Sequence, residues 1–297
     1  MSGEILGIDI GGTHFRMGLC SAEGELLKHE MLPTDSLESP ADGLKRLVKA
    51  VDPHGRAERA AAGVPGIVDY DAQSLLYAPN LPQGFPQGLS GAAISKAIGT
   101  ETMLVNDADL AAIGEAYLGA AAGSQSMAYV TISTGVGAGV VIGGRLLRSR
   151  YSIAELGHSY IEAKLADRSG AGSVEAEASG TALGRRAAAL GIDGGGAALV
   201  NRASLGHPPA VAEMAAFANC AAVALVNMVQ LFSVELLVVG GGVILGGGVT
   251  ELIGARLGEL TPEYFTVELR QAALGDDAAL RGASQAHLAI AAPAERP

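Results

Sequence analysis

The sequence predicts a mixed α/β protein with a duplicated architecture, and three observations carry that prediction. Two apolar strands joined by a glycine turn open the chain between Ile5 and Cys20. Nearly the same strand, turn and strand return between Ala128 and Gly143. After each copy, helical periodicity alternates with short apolar strands, which is typical of helices packed on a largely parallel sheet.

In the first half, each element is predicted from its hydrophobic period and from the turn residues that bound it. The predicted elements are, in order, strands Glu4–Asp9, Phe15–Ser21 and Glu25–Leu32, helix Pro40–Val51, strand Ala60–Val64, helix Gly88–Ile98, strand Thr102–Val105 and helix Leu110–Ala121. Glycine and proline at Gly63–Gly66 mark the abrupt end of a strand, and the prolines of Tyr77–Pro82, with the glycine and proline that follow, mark a loop.

The second half repeats this order with a longer insertion. Its predicted elements are strands Met127–Ser133, Gly137–Ile142 and Arg145–Arg148, the loop Ser149–Ser173, helices Val174–Leu190 and Pro209–Phe232, strands Glu235–Val239 and Phe265–Gln271, and helix Asp277–Ile290. The glycine triplets 194–196 and 246–248 are interpreted as loops, because neither follows a strand. We expect residues from 291 onward to fray. The last helix is expected to return to the first domain, so the predicted domains are 1–116 plus 279–297 and 117–278.

Composition limits the functional classes. The 297 residues, 49% hydrophobic, can fill two cores. Cys20 and Cys220 match no metal or redox spacing, which fits buried thiols in a reducing cytoplasm. No basic leader precedes a long apolar run, so we expect neither secretion nor a membrane partner. A net charge of −11, 4% aromatic residues and no Trp disfavour nucleic-acid binding.

The first glycine turn has the chemistry of a nucleoside triphosphate site. Its residues are Asp9, Gly11, Gly12 and Thr13. Glycines let backbone N–H groups face an anion, while the Asp9 carboxylate and the Thr13 hydroxyl can hold a metal-bound water and a phosphate oxygen. Turn geometry alone explains an acid before two glycines and a hydroxyl poorly.

Two further strands end in glycine-rich exits, at Ser133–Gly135 and at Gly240–Gly242. A polar pair, Asn106 and Asp107, stands where another strand meets a helix, so both side chains are expected to reach the crevice at the carboxyl end of that strand. Either residue could also serve as the N-cap of the helix, and that role is compatible with a catalytic one.

These three exits resemble the phosphate-1, phosphate-2 and adenosine segments of the actin, hexokinase and Hsp70 ATPase superfamily. The segments Asn106–Asp109, Ala154–His158 and Gly172–Glu175, followed by Ala178–Gly180, resemble the ROK family of sugar kinases and sugar-responsive repressors. The resemblance runs from about Ile5 to Leu288. It implies two ribonuclease H-like (actin-like ATPase) domains with an interdomain active-site cleft.

The resemblance also implies a role for each matching position. Asp107 corresponds to the catalytic base. The residues that correspond to sugar contacts are Asn80, Asn106, Glu155, His158 and Glu175. The residues that correspond to nucleotide contacts are Asp9, Gly11, Gly12 and Thr13 for the β- and γ-phosphates, Thr134 and Gly135 for the β-phosphate, and Gly241 and Gly242 for adenosine. Asp9 would hold Mg²⁺ through a water molecule.

The sequence departs from the family pattern at two places. The family usually carries a structural zinc site, but the aligned cysteine positions are Ala166, Arg168 and Ser173 here, so we expect no structural zinc. Without it, the loop 165–173 must be ordered by hydrogen bonds, by packing or not at all.

The second departure is Asp109, where the family commonly has Asn. Facing Asp107, it could raise the pKa of that carboxyl, but at a helix start the two side chains are expected to diverge.

The resemblance predicts a cytoplasmic, homodimeric kinase that uses ATP and Mg²⁺ to phosphorylate the 6-hydroxyl of glucose or a related hexose. One alternative is an N-acylhexosamine kinase for N-acetylmannosamine or N-acetylglucosamine, and another is polyphosphate as donor. Outside the kinases, the alternatives are a sugar-binding transcriptional regulator without its DNA-binding domain and a filament-forming actin relative. The set Glu155, His158 and Glu175 disfavours the actin relative, and the start of the first strand near Glu4 disfavours the regulator.

Overall fold

The computed structural model describes residues 3–290, and their contacts divide the chain into two compact units. The first unit comprises 3–123, 139–153 and 276–290, and the second comprises 124–138 and 154–275. The domain boundaries expected from the sequence, 1–116 plus 279–297 and 117–278, stay a prediction. The fraying expected from residue 291 onward concerns residues outside the described range.

The first half of the chain builds one five-stranded sheet and a small hairpin. Its elements are β1 (Glu4–Ile10), β2 (His14–Cys20), β3 (Leu26–Pro33), α1 (Pro40–Val51), β4 (Ala57–Val64), β5 (Ile67–Asp69), β6 (Ser74–Tyr77), α2 (Gly91–Ile98), β7 (Thr102–Asn106) and α3 (Asp107–Leu118). The sheet order is β3-β2-β1-β4-β7. Strands β1, β4 and β7 are parallel, and β1, β2 and β3 are antiparallel.

The register of the parallel strands brings their polar ends to one edge of the sheet. Asp9 of β1 pairs with Gly63 of β4, and Val64 of β4 pairs with Asn106 of β7. Since neighbouring strands lie about 4.8 Å apart, β1 and β7 are separated by about 10 Å at this edge. Asp9 and the start of α3 therefore stand on either side of Gly63.

The second half repeats the arrangement. Its elements are β8 (Ser126–Ile132), β9 (Val136–Ile142), β10 (Arg145–Leu146), α4 (Val174–Ala178), α5 (Gly180–Ala189), α6 (Gly195–Ser204), α7 (Pro208–Phe232), β11 (Leu236–Gly240), α8 (Val249–Leu260), β12 (Glu268–Gln271), α9 (Ala278–Gly282) and α10 (Ala286–Ala289). The sheet order β10-β9-β8-β11-β12 reproduces that of the first sheet. The duplicated architecture is confirmed. Strand β11 is buried throughout, as its unbroken apolar run requires between two parallel partners.

Several helices differ from the prediction. The helix predicted over Val174–Leu190 is two helices, because Ser179 has an extended backbone and its hydroxyl caps α5 by accepting the N–H of Ala182. The helix predicted over Asp277–Ile290 is likewise two short helices, α9 and α10. Helices α6 and α8 were not predicted.

The hairpin β5–β6 was not predicted either. Its strands have only three and four residues, too few for a clear alternating pattern. Gln73 in its turn has a positive φ of 52°, and its side chain bonds both backbone groups of Leu104 in β7, with distances of 2.7 and 3.4 Å. The hairpin is therefore fixed to the strand that leads to Asp107.

Of the described residues, one helix, α7, is long and apolar enough to cross a membrane by length and composition. It buries one face, which includes Met214, Phe217 and Leu225, and it packs against α6 and α8. Burial of this kind is typical of the core helix of a folded domain.

We expect Gly114→Ala to lower the free energy of unfolding by about 1–3 kcal/mol, because overpacking at a tight contact forces the backbone to shift. A Cβ at Gly114 in α3 would lie 2.3 Å from the carbonyl oxygen of Ala278 in α9. The matched control is Gly184→Ala in α5, where no heavy atom lies within 4 Å and the change should be neutral or stabilising by roughly 0.5–1 kcal/mol. Urea denaturation measures both, and equal effects would contradict the close approach of α3 and α9.

Candidate functional site

The first glycine turn joins β1 to β2. Two hydrogen bonds from Thr34, the residue that follows β3, hold this turn in place. The Gly11 N–H donates to the His14 carbonyl at 2.8 Å, which closes the turn. The buried Thr34 hydroxyl donates to the Gly11 carbonyl, and the Thr34 N–H donates to the Thr13 carbonyl, both at 2.8 Å. No local sequence pattern indicates Thr34, because its partners lie about twenty residues earlier in the chain.

Gly12 lies directly against Asn80. A Cβ at Gly12 would lie 2.2 Å from the Asn80 carbonyl oxygen, so only glycine fits without a backbone shift. The predicted sugar contact Asn80 is therefore a neighbour of the predicted phosphate turn. Its exposed side chain borders that turn, although its role as a sugar ligand stays a prediction.

Asp9 has a strongly perturbed carboxyl. Burial raises its pKa to about 6, while the Arg16 guanidinium, 3.7 Å away, lowers the pKa and the Asp276 carboxylate raises it. Arg16 also donates to Asp277 at 2.8 Å. The Asp9 carboxylate is ionised at pH 7, and a carboxylate oxygen suits a hard divalent cation or one of its waters.

Asn106, rather than Asp107, caps α3. The Asn106 Oδ1 accepts the N–H groups of Ala108 and Asp109 at 3.0 and 3.2 Å, and its Nδ2 donates to the Gly66 carbonyl at 2.9 Å. Asp107 is thus the first residue of the helix, three positions earlier than predicted, and its Oδ1 accepts the Ala108 N–H at 2.8 Å. Asn106 as a sugar contact stays a prediction.

The extra carboxylate of Asp109 is fully buried. Its Oδ2 accepts the Tyr70 hydroxyl at 2.6 Å, whereas Asp107 is only partly buried and its Oδ1 bonds the first turn of its own helix. The two side chains therefore use different partners, and the hydroxyl of Tyr70 is a contact that the sequence did not indicate.

In the second unit, the N-terminus of α5 holds the phosphate-2 turn. The Gly180 N–H donates to the Ser133 carbonyl at 2.7 Å. The Thr181 hydroxyl donates to the Thr134 carbonyl at 2.8 Å. The turn is closed by the Ser133 N–H, which donates to Gly135 at 2.9 Å. These bonds fix the backbone at both Thr134 and Gly135.

The adenosine glycines lie against the same turn. Gly241 has a φ of +91°, and a Cβ there would lie 2.4 Å from the carbonyl oxygen of Ile132, the last residue of β8. That carbonyl also accepts the Val243 N–H at 3.2 Å. Gly241 is therefore required by both its φ and its close approach, and it brings Gly242 next to the phosphate-2 turn.

Two adjoining cavities open at this place. One, of about 440 Å³, is lined by Ser133, Thr134, Gly180, Thr181, Gly242 and Val243. The other, of about 500 Å³, shares Gly180, Gly242 and Val243 and continues between the apolar side chains of Leu183 and Val200. The hydroxyl-lined cavity of about 440 Å³ suits the phosphates of a nucleotide, and the apolar cavity of about 500 Å³ suits its base. Gly196 and Gly246, from triplets that the sequence indicated only as loops, line the apolar end.

Glu155 and His158 come from one tight turn. Glu155 is the centre of an inverse γ-turn, with φ −67° and ψ 59°, closed by the Leu156 N–H donating to Ala154 at 2.6 Å. Ala154 has a positive φ of 57°, a strained value for alanine that is common at functional sites. The His158 Nε2 lies 4.0 Å from Glu155 Oε2, and the imidazole is exposed.

Glu175, predicted as a sugar contact, bonds the backbone of the phosphate-2 region. Its Oε2 accepts the N–H of Val136 at 2.9 Å, immediately after Gly135. The turn that holds Glu155 and His158 is tied to the same helix, because the Val174 N–H donates to the Ser159 carbonyl at 2.8 Å.

The predicted site residues therefore fall into two groups. The first unit brings together Asp9, Gly11, Gly12, Thr13, Asn80, Asn106 and Asp107. The second unit brings together Thr134, Gly135, Glu155, His158, Glu175, Gly241 and Gly242. The residues of each group are spread over more than 70 positions of the sequence. The pairing of the strands brings the residues of each group together.

The segment 160–173 is ordered by hydrogen bonds. Asp167 accepts the hydroxyl and the N–H of Ser169 at 2.5 and 2.8 Å, and its carbonyl accepts the Tyr160 hydroxyl at 2.5 Å. The Gly172 carbonyl accepts the N–H groups of Ile161 and Glu162. Between residues 3 and 290, no group of three His, Cys, Asp or Glu side chains is arranged to hold a metal ion.

We expect the thermal midpoint of the purified protein to be unaffected by EDTA or by 1,10-phenanthroline, because hydroxyl and backbone groups order this loop. Elemental analysis should find far less than one zinc per chain. A matched variant, Asp167→Ala, should loosen the loop and speed its amide hydrogen exchange. Stoichiometric zinc, or melting induced by the chelator, would contradict this account.

We expect Asp9→Asn to raise the stability of the ligand-free protein at pH 8 by about 3 kcal/mol. Because the folded pKa lies above 3.8, the native state binds more protons than the unfolded state between about pH 4 and 6, so wild-type stability falls as pH rises through that window. The advantage of the variant should therefore vanish below pH 4. Denaturation at pH 4, 6 and 8 measures it, and a pH-independent difference would argue against a buried carboxyl.

The chain is similar to known proteins along nearly its whole length. The chain is 28% identical to the glucokinase of Thermotoga maritima, covering 95% of this chain and 96% of that one. It is 33% identical to the N-acetylmannosamine kinase of Shigella flexneri, covering 94% and 97%. The structure of a ROK family glucokinase from Streptomyces griseus, in complex with glucose and AMPPNP, superposes with a TM-score of 0.80 at 29% identity, covering 97% and 99%.

This structural match confirms the expected fold class, that of the actin-like ATPases. The family model for ROK proteins matches residues 5–290, nearly the whole described chain. The resemblance inferred from the three glycine exits and the polar segments is thereby confirmed. The chain is a member of the ROK family.

Proposed function

We propose that this protein is an ATP-dependent hexose kinase that transfers the γ-phosphoryl group to the 6-hydroxyl of glucose or a related hexose. The observation that carries the proposal is the position of Asp107. It is the first residue of α3, at the sheet edge that also holds Asp9, and Asn106 performs the capping in its place. The relatives named glucokinase and the structure bound to glucose and AMPPNP support it.

Asp107 is the candidate general base. A sugar hydroxyl is a weak nucleophile at neutral pH, and a carboxylate that takes its proton as it attacks phosphorus contributes roughly 10²–10⁴ in rate. The proton moves from the sugar oxygen to a carboxylate oxygen of Asp107 as that sugar oxygen bonds the γ-phosphorus of ATP. The bond between the γ-phosphorus and the β,γ-bridging oxygen breaks, and ADP leaves with that electron pair.

The glycine turn binds the transferred group. Gly11 shapes the turn, because its N–H donates to the His14 carbonyl, and the Gly12 backbone and the Thr13 hydroxyl are the donors proposed for a phosphate oxygen. Mg²⁺ would be held by the Asp9 carboxylate through a water molecule and would supply charge neutralisation at the phosphates. The ionised Asp9 carboxylate fits a water of that ion, as its donor type requires.

The second unit supplies the nucleotide contacts. Thr134 lines the hydroxyl-lined cavity, with Gly135 next to it in the chain, and Gly242, which follows Gly241, lines both cavities. An apolar cavity of about 500 Å³ next to the phosphate-2 turn suits the base of a nucleotide. A polyphosphate chain has no apolar group that could fill this cavity. This favours ATP over polyphosphate as the donor.

An N-acylhexosamine kinase is the second candidate, favoured by the 33% identity to an N-acetylmannosamine kinase. Asn80, Asn106, Glu155, His158 and Glu175 would pair the sugar hydroxyls in either case. A polar set that the bound sugar covers discriminates between sugars by leaving groups unpaired when the wrong one binds. We also propose a cytoplasmic homodimer with the two domains expected from the sequence.

A coupled assay separates the candidates. Glucose, mannose, N-acetylmannosamine and N-acetylglucosamine are offered as acceptors, with ATP or polyphosphate as donor. The proposal expects the highest kcat/KM for glucose or mannose with ATP. Sugar binding without turnover on any acceptor would instead indicate the transcriptional regulator.

We expect Asp107→Ala to lower kcat by roughly 10²–10⁴, because only the proton acceptor is lost. Sugar binding, measured by calorimetry, should remain. The matched control is Asp193→Ala, which removes an exposed carboxylate between α5 and α6 and should leave kcat unchanged. Wild-type turnover in the purified Asp107→Ala variant would remove Asp107 from the mechanism.

A further inference from the structure

We propose that Tyr70 is a positioning residue for Asp107. Its hydroxyl, oriented by the buried Asp109 carboxylate, fixes the backbone at Asn106, and Asp107 follows directly. This inference rests on the proposed kinase function, since it concerns the placement of the proposed base.

One hydroxyl group makes both contacts. The Tyr70 hydroxyl donates to Asp109 Oδ2 at 2.6 Å and accepts the N–H of Asn106 at 3.2 Å. A phenol has one proton to donate, so donation to the carboxylate leaves a lone pair for the amide. Tyr70 is 5% exposed and Asp109 is 0% exposed, so water does not compete for either bond.

The bond between the Tyr70 hydroxyl and the Asn106 N–H lies at the edge of the sheet. Strand β7 is the last strand of its sheet, so the side facing away from β4 has no strand partner. Gln73 bonds both backbone groups of Leu104 there, and Tyr70 bonds the N–H of Asn106, two residues further on. Backbone groups two residues apart point to the same side of a strand. Two side chains of the β5–β6 hairpin therefore pair with this edge and define where β7 ends.

The end of β7 defines the start of α3. Asn106 has an extended backbone, with φ −64° and ψ 143°, and Asp107 is the first helical residue. A shift at Asn106 would displace the Asp107 carboxylate, and a displacement of about 1 Å from productive geometry can cost a hundredfold in rate.

The ring of Tyr70 is held independently of its hydroxyl. The Arg148 guanidinium lies 5.5 Å from the ring centroid, and the Tyr70 N–H donates to the Arg150 carbonyl at 2.8 Å. Tyr70→Phe therefore removes the two hydroxyl bonds and keeps the ring in place.

The test compares kcat with KM. Tyr70→Phe should lower kcat about tenfold to a hundredfold, with the KM for ATP changed by less than twofold. Asp109→Ala should give a similar loss, and Asp109→Asn, which keeps an acceptor oxygen, should restore most of kcat. The double variant Tyr70→Phe, Asp109→Ala should lose no more than either single variant, since the two residues act as one unit.

Tyr117→Phe is the matched control. Tyr117 lies in α3, and its hydroxyl donates to the Gly144 carbonyl at 2.5 Å, so the change removes one hydroxyl bond from the same helix without touching Asn106. Its kcat should equal that of the wild type. If Tyr70→Phe fails to fold, Asp109→Ala and Asp109→Asn provide the same comparison.

Three results would overturn the proposal: wild-type kcat in Tyr70→Phe, losses that add in the double variant, or a lower melting temperature without a lower kcat. These outcomes differ from failure of the kinase assignment. In that case the wild type phosphorylates no hexose, or Asp107→Ala retains full turnover.

Discussion

The amide side chain of Asn106 connects the sheet of the first unit to the helix that follows. Its oxygen caps α3, its nitrogen bonds the Gly66 carbonyl, and its backbone ends β7. Because this one residue provides the cap, Asp107 does not have to, and its carboxylate stands at the sheet edge. The placement of the proposed base therefore depends on three hydrogen bonds made by its neighbour. A shorter or longer β7 would turn the next side chain in another direction.

A single carbonyl group has a comparable role in the second unit. The Ile132 oxygen receives the N–H of Val243 and lies against Gly241, at the point where β8 turns into Ser133. The segments that carry the proposed phosphate and adenosine contacts therefore meet at the Ile132 carbonyl. In both units the residues proposed to hold ligands lie mostly in turns or at the ends of strands and helices. Hydrogen bonds from Thr34, Tyr70, Thr181 or backbone groups hold those segments.

The sequence was sufficient for the fold class and the family, because glycine exits and strand periods are local signals. Helix α8 also had a signal, the apolar spacing of Val249, Ile253 and Leu257, which the preceding glycines obscured. Helix α6 had almost no apolar spacing of this kind, since Leu199 is its one buried residue. Tyr70 could not be found by pattern, because its partners lie 36 and 39 residues away and are brought near by strands of three and four residues.

The loop around Asp167 has a consequence for how the protein matures. A loop closed by thiolates and zinc reaches its final shape only after a metal ion has been acquired. Here the closing groups are hydroxyls, a carboxylate and peptide carbonyls that belong to the chain itself. We therefore expect this region to fold in a cell starved of transition metals as readily as in one that is replete.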